Sequence, residues 1–346
     1  MRILIVTDAW YPQVNGVVRT LSTTINILRS RGHVVEILEP SAFRSIPMPG
    51  YNEIRLALTT KSKVKRHITE FAPDVIHIST EGPLGFWARL CCASNNWSFT
   101  TAYHTQFPEY LRLRLPIPLS IPYKYLNWFH SGAVRTMVAT NSMRELLHSR
   151  DFKNLAHWSR GVNLELFKPD PSKLKIKERP ILVYVGRVAV EKNIEDFLSL
   201  DINGEKHVVG GGPELEDLKS RYPEAIFHGF HSGQDLVDRV AIADVMVFPS
   251  RTDTFGLVLI EAMACGVPVA AYPVPGPVDL VTNGNNGWID DDLKLAVKNA
   301  LRVKPESCRK FAEGFSWDHS VDQFLSNITP SNFSGEPAAE EDAEAA

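Results

Sequence analysis

Short apolar runs alternate along the chain with stretches whose apolar residues recur at helical spacing. Residues 3–6 form one such run. Apolar residues at helical spacing follow it, namely Leu21, Ile25 and Leu28. The same alternation predicts strands over residues 34–38, 74–78 and 136–140, and a helix over 86–92. Strands separated by helices predict a parallel, doubly wound α/β sheet.

The pattern breaks near residue 170 and then restarts. A lysine-rich stretch follows this point, and after it an apolar run predicts a strand over residues 180–186. Further strands are predicted over residues 207–209, 225–227, 245–248 and 267–271. The chain is therefore predicted to hold two Rossmann-like domains, residues 1–168 and 169–315. Ligands of such sheets bind beyond the carboxyl ends of the strands, so two facing sheets predict a site in the cleft between the domains.

The C-terminal part of the chain carries one more helix pattern. Ser316 is suited to cap a helix, and an apolar stripe follows it. Residues 316–330 are therefore predicted to form a helix that packs back on the domain pair. Residues 331–346 are small, polar and acidic, and they are predicted to be a disordered tail.

The composition is that of a globular protein of ordinary polarity. The 346 residues are 44% hydrophobic and 22% charged. No apolar run approaches the roughly 18 residues of a membrane span, and the first residues do not resemble a signal peptide, so the expected location is the cytoplasm. The four cysteines include no C-x-x-C pair and are predicted to be buried free thiols. The acidic run over residues 290–292 precedes a helix pattern, so we interpret it as helix capping rather than as a metal site.

Charge is distributed unevenly between the two halves. Residues 1–175 carry 22 Lys and Arg against 12 Asp and Glu, whereas the remainder carries 15 against 28. A basic half favours an anionic partner, which is a membrane surface, a nucleic acid or a phosphorylated ligand. No recognised nucleic-acid-binding module is present, so a nucleic-acid partner is not expected.

The most informative segment follows the predicted strand that ends near Pro249. Residues 250–266 predict a helix that begins near Gly256 and stops at Gly266, which leaves free amide donors at the helix start around Thr254, Phe255 and Leu257. Two carboxylates, Asp253 and Glu261, lie eight residues apart and can accept hydrogen bonds from paired hydroxyl groups. No G-x-G-x-x-G follows either first strand, which argues against a dehydrogenase. A single glycine, Gly16, follows the first strand, where it permits close approach of a phosphate or sugar.

This segment resembles the E-x7-E signature of the family 4 retaining glycosyltransferases of GT-B architecture. Other landmarks of that family fall in order: GR-x-x-x-EK-[GN] at residues 186–193, VG-x-GP at 209–213, AD…PS at 243–250, and GVD…F-x-P at 161–169 with Asn163 in place of Asp. The resemblance covers residues 1–328. It implies two Rossmann-like domains that face each other across a cleft. One departure is that Asp253 stands where Glu is more common, which leaves the identity of the sugar open.

The resemblance also implies roles for individual residues. Arg187 and Lys192 would clamp the diphosphate of a nucleotide sugar, since cations stabilise the charge that develops on the leaving group, and no metal would be needed. His104, in a segment that resembles HT-x-[FV]-P-x-Y, would lie at the sugar end of the cleft as a fourth catalytic residue beside Arg187, Lys192 and Asp253. The remaining donor contacts would be Gly16 near the phosphate, Phe230 near the base, and the segment from Asp253 to Leu257 with Glu261.

Residues 112–130 mix cations with aliphatic and aromatic side chains. This segment resembles the membrane-facing region of family members that glycosylate lipids, with buried helix packing as the alternative. The candidate membrane or acceptor residues are Arg112, Arg114, Lys124 and Trp128.

The resulting prediction is a metal-independent retaining hexosyltransferase. It would move a hexose from a UDP- or GDP-sugar to a membrane lipid such as diacylglycerol and form an α-linkage, while associated with the inner face of the cell membrane. The alternatives are a soluble or polysaccharide acceptor and a nucleotide-sugar epimerase. A phosphorylase would require a pyridoxal phosphate lysine. The base, the sugar, the exact acceptor and the oligomeric state stay open.

Overall fold

The computed structural model describes residues 1–48, 51–170 and 179–333. The N-terminal elements are, in chain order, β1 (Arg2–Val6), α1 (Gly16–Ser30), β2 (Val34–Leu38), β3 (Ser45–Met48), β4 (Tyr51–Ala57), α2 (Lys61–Phe71), β5 (Val75–Ile78), α3 (Pro83–Asn95), β6 (Thr100–Ala102), α4 (Phe107–Arg114), α5 (Ser120–Ser131), β7 (Arg135–Val138), α6 (Asn141–His148) and β8 (Leu155–His157). Six of these strands form one sheet in the order β2-β1-β5-β6-β7-β8, and every pairing in it is parallel.

The second half of the chain repeats this architecture. Its elements are β9 (Ile181–Val185), α7 (Ile194–Leu198), β10 (Glu205–Val209), α8 (Leu215–Arg221), β11 (Ile226–Gly229), α9 (Gly233–Ala241), β12 (Val245–Phe248), α10 (Leu257–Ala264), β13 (Val269–Ala271), α11 (Pro277–Leu280), β14 (Gly287–Ile289), α12 (Leu293–Ala300), α13 (Pro305–Ala312) and α14 (Trp317–Asn327). The second sheet is also parallel, in the order β11-β10-β9-β12-β13-β14.

Both sheets have a topological switch point at their first strand. β1 lies between β2 and β5, and β9 lies between β10 and β12, so the chain runs outward on one side and then on the other. All five residues of β9 are buried, as are all four of β12, because helices cover both faces of the sheet. This arrangement confirms the prediction of two doubly wound α/β domains. The crevice beyond the carboxyl end of each first strand is where such sheets bind ligands.

Helix α14 returns to the N-terminal domain. Val321 and Phe324 lie in the same buried cluster as Ile3 and Leu21, and α14 packs against α1. The Ser316 side chain caps this helix by accepting hydrogen bonds from two backbone amides. The helix predicted to pack on the domain pair therefore completes the core of the first domain.

The prediction of a disordered tail from residue 331 is wrong for its first residues. Ser331 is buried, and its amide donates to the carbonyl of Asp74 at 2.7 Å, while its own carbonyl accepts from the Ser98 amide at 2.8 Å. The ring of Phe333 lies 5.2 Å from that of Trp97. Backbone hydrogen bonds and one aromatic contact therefore order a segment whose composition is polar. The rest of the predicted tail, residues 334–346, lies outside the described residues.

Several smaller predictions can be compared directly with the structure. The four cysteines are free and buried, as predicted. Asp292 caps α12 by accepting from the amides of Lys294 and Leu295, which confirms the capping interpretation of that acidic run. The antiparallel pair β3 and β4 was not predicted. Within the described ranges, no helix is both long and apolar enough to span a bilayer.

Candidate active site

A loop from each domain meets at a seam between the two sheets. The first loop follows β6 and carries His104 and Gln106, and the second follows β12 and carries Asp253 and Thr254. The Gln106 side-chain amide donates to the carbonyl of Asp253 at 2.6 Å. The Thr254 hydroxyl donates to the carbonyl of His104 at 2.7 Å. Two residues predicted from distant motifs, His104 and Asp253, therefore lie on the two sides of one seam.

Lys192 and Asp253 form an ion pair beside this seam. Lys192 ends a short 3₁₀ turn (Val190–Lys192) that follows β9, and its Nζ lies 2.9 Å from Asp253 Oδ2. Their side chains are only 18% and 15% exposed. Burial alone would lower the pKa of Lys192, but Asp253 and the hydroxyls of Tyr110 and Tyr184 outweigh burial and raise it. Lys192 is therefore a largely buried group that is cationic at neutral pH.

The second carboxylate oxygen of Asp253 binds its own loop. Oδ1 accepts hydrogen bonds from the amides of Thr254 at 2.8 Å and Phe255 at 3.1 Å. The prediction that these two amides are free donors is therefore wrong, because the short Asp side chain reaches the next two backbone N–H groups. Helix α10 begins at Leu257, after Gly256 in the left-handed region at φ 84°. Of the amides predicted to bind an anion, those of Thr254 and Phe255 are occupied by Asp253, which leaves the backbone at Gly256 and Leu257.

Gly16 lies opposite this helix start. A methyl group placed on Gly16 would stand 3.6 Å from Leu257 Cδ1, so the first residue of α1 faces the first residue of α10 across the cleft. The two helices belong to different domains. Helix N-termini carry partial positive charge. At the start of α1 the Asn15 side chain already accepts from the amides of Val17 and Val18, so an anion near Gly16 and Leu257 is stabilised mainly by the dipoles of the two helices.

Glu261 makes an ion pair that crosses the cleft. Arg19, in the first turns of α1, places Nη1 2.7 Å from Glu261 Oε1, and the Glu261 side chain is only 6% exposed. Burial raises the pKa of Glu261 to about 7, although Arg19 acts in the opposite direction. Glu261 therefore changes charge near neutral pH, and Arg19 favours its ionised form.

Arg187 and Phe230 lie at the ends of neighbouring strands. Arg187 is partly buried directly after β9, and burial lowers the pKa of its guanidinium. Phe230 follows β11, is 56% exposed, and has its Cβ 4.0 Å from the position of a methyl group on Gly211. An exposed aromatic ring next to a glycine turn leaves room for a planar base to stack.

Comparison with known proteins shows which class of enzyme the chain belongs to. A family model described as Glycosyltransferase Family 4 matches residues 14–166, and one described as Glycosyl transferases group 1 matches residues 167–313. The two models together span residues 14–313, and both describe glycosyltransferases. The chain is a glycosyltransferase. It is therefore an enzyme, and its two domains are those of the GT-B fold, as predicted.

Two relatives and one solved structure illustrate the similarity of this glycosyltransferase to known proteins. It is 26% identical to a GDP-mannose-dependent alpha-mannosyltransferase of Mycobacterium tuberculosis, over 94% of this chain and 95% of the relative. It is 25% identical to an alpha-monoglucosyldiacylglycerol synthase of Streptococcus pneumoniae, over 96% and 83% of the two chains. In fold it matches the Anabaena protein HepE in complex with UDP and glucose, with a TM-score of 0.70, 16% identity, and coverage of 94% and 98%.

The glycosyltransferase exposes a mixed basic and apolar surface on α4, α5 and the loop between them. We call it the α4–α5 surface, and its exposed members are Phe107, Arg112, Leu113, Leu115, Ile121, Lys124 and Trp128. Trp128 is 38% exposed and stacks under the Arg89 guanidinium at 3.8 Å. The side chain of Arg114 lies outside the described part of the chain. Phe129, an aromatic residue of the segment 112–130 that resembles a membrane-facing region, is fully buried, because it packs in the first domain's core.

Two arginines that the sequence analysis missed contact predicted site residues. Arg19 pairs with Glu261, and Arg160 places Nη2 3.2 Å from Nδ1 of His104. Arg19 lies three residues after Gly16, on the same face of α1, so helical spacing was a usable signal. Arg160 had no local signal, because it reaches His104 from a loop 56 residues away.

Two glycine-containing turns of the glycosyltransferase approach too closely to accept side chains. A methyl group on Gly210, at φ 155°, would lie 1.7 Å from the carbonyl oxygen of Gly186. We expect Gly210→Ala to lower the free energy of unfolding by about 2–3 kcal/mol through this clash. Gly32→Ala is the control, since φ 82° strains an alanine there but nothing lies within 4 Å, and about 1 kcal/mol is expected. Denaturant unfolding measures both, and equal losses would contradict the close approach.

Proposed function

We propose that this glycosyltransferase moves a hexose from a nucleoside diphosphate sugar to a lipid acceptor with retention, forming an α-linkage. The observation that carries the proposal is the ion-paired Lys192 beside the seam where the loops of His104 and Asp253 meet. Breaking a sugar–phosphate bond leaves charge on the diphosphate, and a buried ammonium stabilises that charge strongly. The named activities of the two relatives support transfer of a sugar and an α-linkage.

The groups around the cleft fit a diphosphate without a metal ion. Lys192 and Arg187 supply cationic donors, and the facing N-termini of α1 and α10 supply partial positive charge. Glu261 can accept hydrogen bonds from ribose hydroxyls, and Phe230 can stack on the base. Asp253 binds Lys192 and the backbone amides of its own loop. Its proposed role near the sugar is to keep Lys192 and this loop in position.

The α4–α5 surface supports a lipid acceptor at an anionic membrane. Helix α4 begins at Phe107, immediately after the seam residue Gln106, so the surface is continuous with the candidate active site. Exposed cations beside exposed Leu115, Ile121 and Trp128 combine charge attraction with apolar area that can enter the headgroup region. The alpha-monoglucosyldiacylglycerol synthase is a relative whose name specifies a lipid product.

A thermal-shift panel of UDP- and GDP-sugars tests the donor. A ligand at 100 times its dissociation constant adds about 2.7 kcal/mol of stability. We expect one nucleotide to stabilise the chain and the matching free sugar, used as control, to have no effect. Product analysis with diacylglycerol vesicles then tests the acceptor and the anomeric configuration. A chain that no nucleotide stabilises, or that epimerises the sugar of the donor without any acceptor, would contradict the proposal.

Reversal of charge on the α4–α5 surface is expected to weaken membrane binding. Each basic residue near an anionic surface contributes about 1 kcal/mol, within a Debye length of about 8 Å. We expect the wild type to sediment with anionic liposomes, and Arg112→Glu with Lys124→Glu to reduce the bound fraction at least tenfold, as about 2 kcal/mol or more implies. Hydrolysis of the donor in solution should persist.

The matched control is Lys63→Glu with Arg66→Glu, which reverses two exposed charges on α2. This variant has the same net charge as the first double variant but an unchanged α4–α5 surface, so it should retain most of its binding to liposomes. If both double variants lose binding equally, the α4–α5 surface is not the membrane contact. If the wild type fails to sediment at low salt, a soluble acceptor is favoured.

A further inference from the structure

The contact between Arg160 and His104 fixes the position of a proton. Arg160 Nη2 lies 3.2 Å from His104 Nδ1. A guanidinium has donors and no acceptor, so Nδ1 must accept this hydrogen bond through its lone pair. The neutral imidazole then carries its proton on Nε2.

Arg160 is held rigidly in this position. Its Nη1 donates to the carbonyls of Trp158 at 2.6 Å and Ser159 at 3.0 Å, and its guanidinium lies 4.4 Å from the centre of the Trp158 ring. The residue is 4% exposed, and burial lowers its pKa to about 9, so it stays cationic at neutral pH.

The surroundings of His104 disfavour a second proton on the ring. Burial lowers the pKa of His104 well below its ordinary value, and the charge of Arg160 acts in the same direction. The Trp158 ring packs edge-on at 5.7 Å. Nε2 is shielded from solvent and has no hydrogen-bond partner among the described residues. The ring therefore has one unused polar group, which is an N–H donor.

We propose that Arg160 is the positioning residue of His104, and that it makes His104 a hydrogen-bond donor to an oxygen of the nucleotide sugar rather than a base. The second half of this statement rests on the proposed function, which places His104 at the sugar end of the cleft. Neither ring nitrogen is then available to accept a proton, because the lone pair of Nδ1 accepts from Arg160 and Nε2 already carries a proton. No proton is transferred to or from the ring during the reaction, so His104 contributes by orientation and by stabilising charge.

The tautomer can be measured without any substrate. In the full chain labelled with ¹⁵N-histidine, we expect the His104 Nδ1 resonance in the unprotonated range and Nε2 in the protonated range, unchanged from pH 6 to pH 8. His104→Ala identifies the signal by its loss. A proton on Nδ1, or titration of the ring within this range, overturns the proposal whether or not the enzyme acts on the expected donor.

Substitutions of His104 separate a donor from a base. Glutamine can place an amide N–H near the position of Nε2 but cannot take up a proton. We expect His104→Gln to keep kcat within about tenfold of the wild type, the equivalent of one altered hydrogen bond, and His104→Ala to lose clearly more. If glutamine is no better than alanine, the donor role is wrong even when the tautomer is as stated.

Arg160→Lys and Arg160→Met test the positioning role. Lysine keeps the charge and one donor, whereas methionine removes both. We expect kcat to fall in the order wild type, Lys, Met, by about tenfold for methionine, with the KM for the donor little changed. The His104 signals of a folded methionine variant should show a mixture of tautomers. If methionine preserves both kcat and the single tautomer, Arg160 does not position His104.

Discussion

Replacement of Lys192 by methionine is expected to lower kcat/KM by about 10²–10³-fold, because the leaving diphosphate loses its buried cation. The substitution also leaves Asp253 without the Lys192 ammonium that lies 2.9 Å away. Removing one partner of a buried pair costs about 3–5 kcal/mol of stability. Steady-state kinetics and denaturant unfolding measure the two effects separately.

A second substitution distinguishes catalysis from folding. Lys192→Met combined with Asp253→Asn removes both charges, so much of the lost stability should return while kcat/KM stays low. Lys206→Met is the matched control, since Lys206 binds the carbonyls of Leu198 and Leu200 in the same domain and has no predicted role in the reaction. If the Lys192 variant turns over normally, or if the double variant recovers activity with its stability, Lys192 does not act on the leaving group.

Donor affinity is expected to rise as the pH increases through about 7, because the carboxyl of Glu261 loses its proton there. The ionised carboxylate accepts from ribose hydroxyls through two charged oxygens, whereas the protonated carboxyl has one oxygen turned into a donor. Hydrogen bonds to a charged group contribute about 1.5–3 kcal/mol, or about 10–100-fold in affinity. Arg19→Met should move the rise to higher pH, whereas Glu261→Gln should lower affinity and abolish the rise. Titration calorimetry from pH 6 to pH 9 measures each curve.

The same shift predicts the opposite pH dependence for stability. The folded chain holds the Glu261 proton up to about pH 7, whereas an unfolded carboxyl releases it near its ordinary pKa of 4.5. The folded state therefore binds more protons in this window, and the contribution of Glu261 to the free energy of unfolding falls as the pH rises from about 4.5 to about 7. The control for the affinity measurements is Arg29→Met, on the same helix as Arg19. Its donor affinity should equal that of the wild type at every pH. A flat affinity profile in the wild type would contradict the assignment of Glu261 to the ribose.

The strands of both sheets were predictable because they are buried on two faces. The runs over residues 3–6 and 245–248 are apolar without interruption, and such runs have few alternatives to a central parallel strand. The β3 and β4 pair gave no such signal. The residues of β3 are partly or fully exposed, and a proline lies within it, so neither burial nor alternation marks it as a strand.

The sequence predicted site residues that belong to a recognisable motif. It did not predict the contact partners of those residues, because the partners come from distant parts of the chain. The motif spacing pointed to Lys192, Asp253 and Glu261, yet it did not indicate that Asp253 would bind Lys192 and the amides of its own loop. The partners of His104 and Glu261 come from distant elements, and pairing of that kind depends on how the two domains close. The burial of Phe129 was not predicted either. Trp128 and Phe129 are adjacent in α5, yet Trp128 lies on the exposed face of the helix and Phe129 lies in the core.

The two passages of chain between the domains lie side by side. The amide of Val162 donates to the carbonyl of Phe315 at 3.1 Å, and a methyl group on Gly161 would strike the backbone of Trp317 at 2.3 Å. Two adjacent covalent links restrict how the domains could move relative to each other, because they permit rotation about the links and oppose sliding. A rotation that separated the domains would release the seam bonds of Gln106 and Thr254 together, and the reverse rotation would restore the same bonds. The paired links would therefore preserve the alignment of a site that is assembled from two domains.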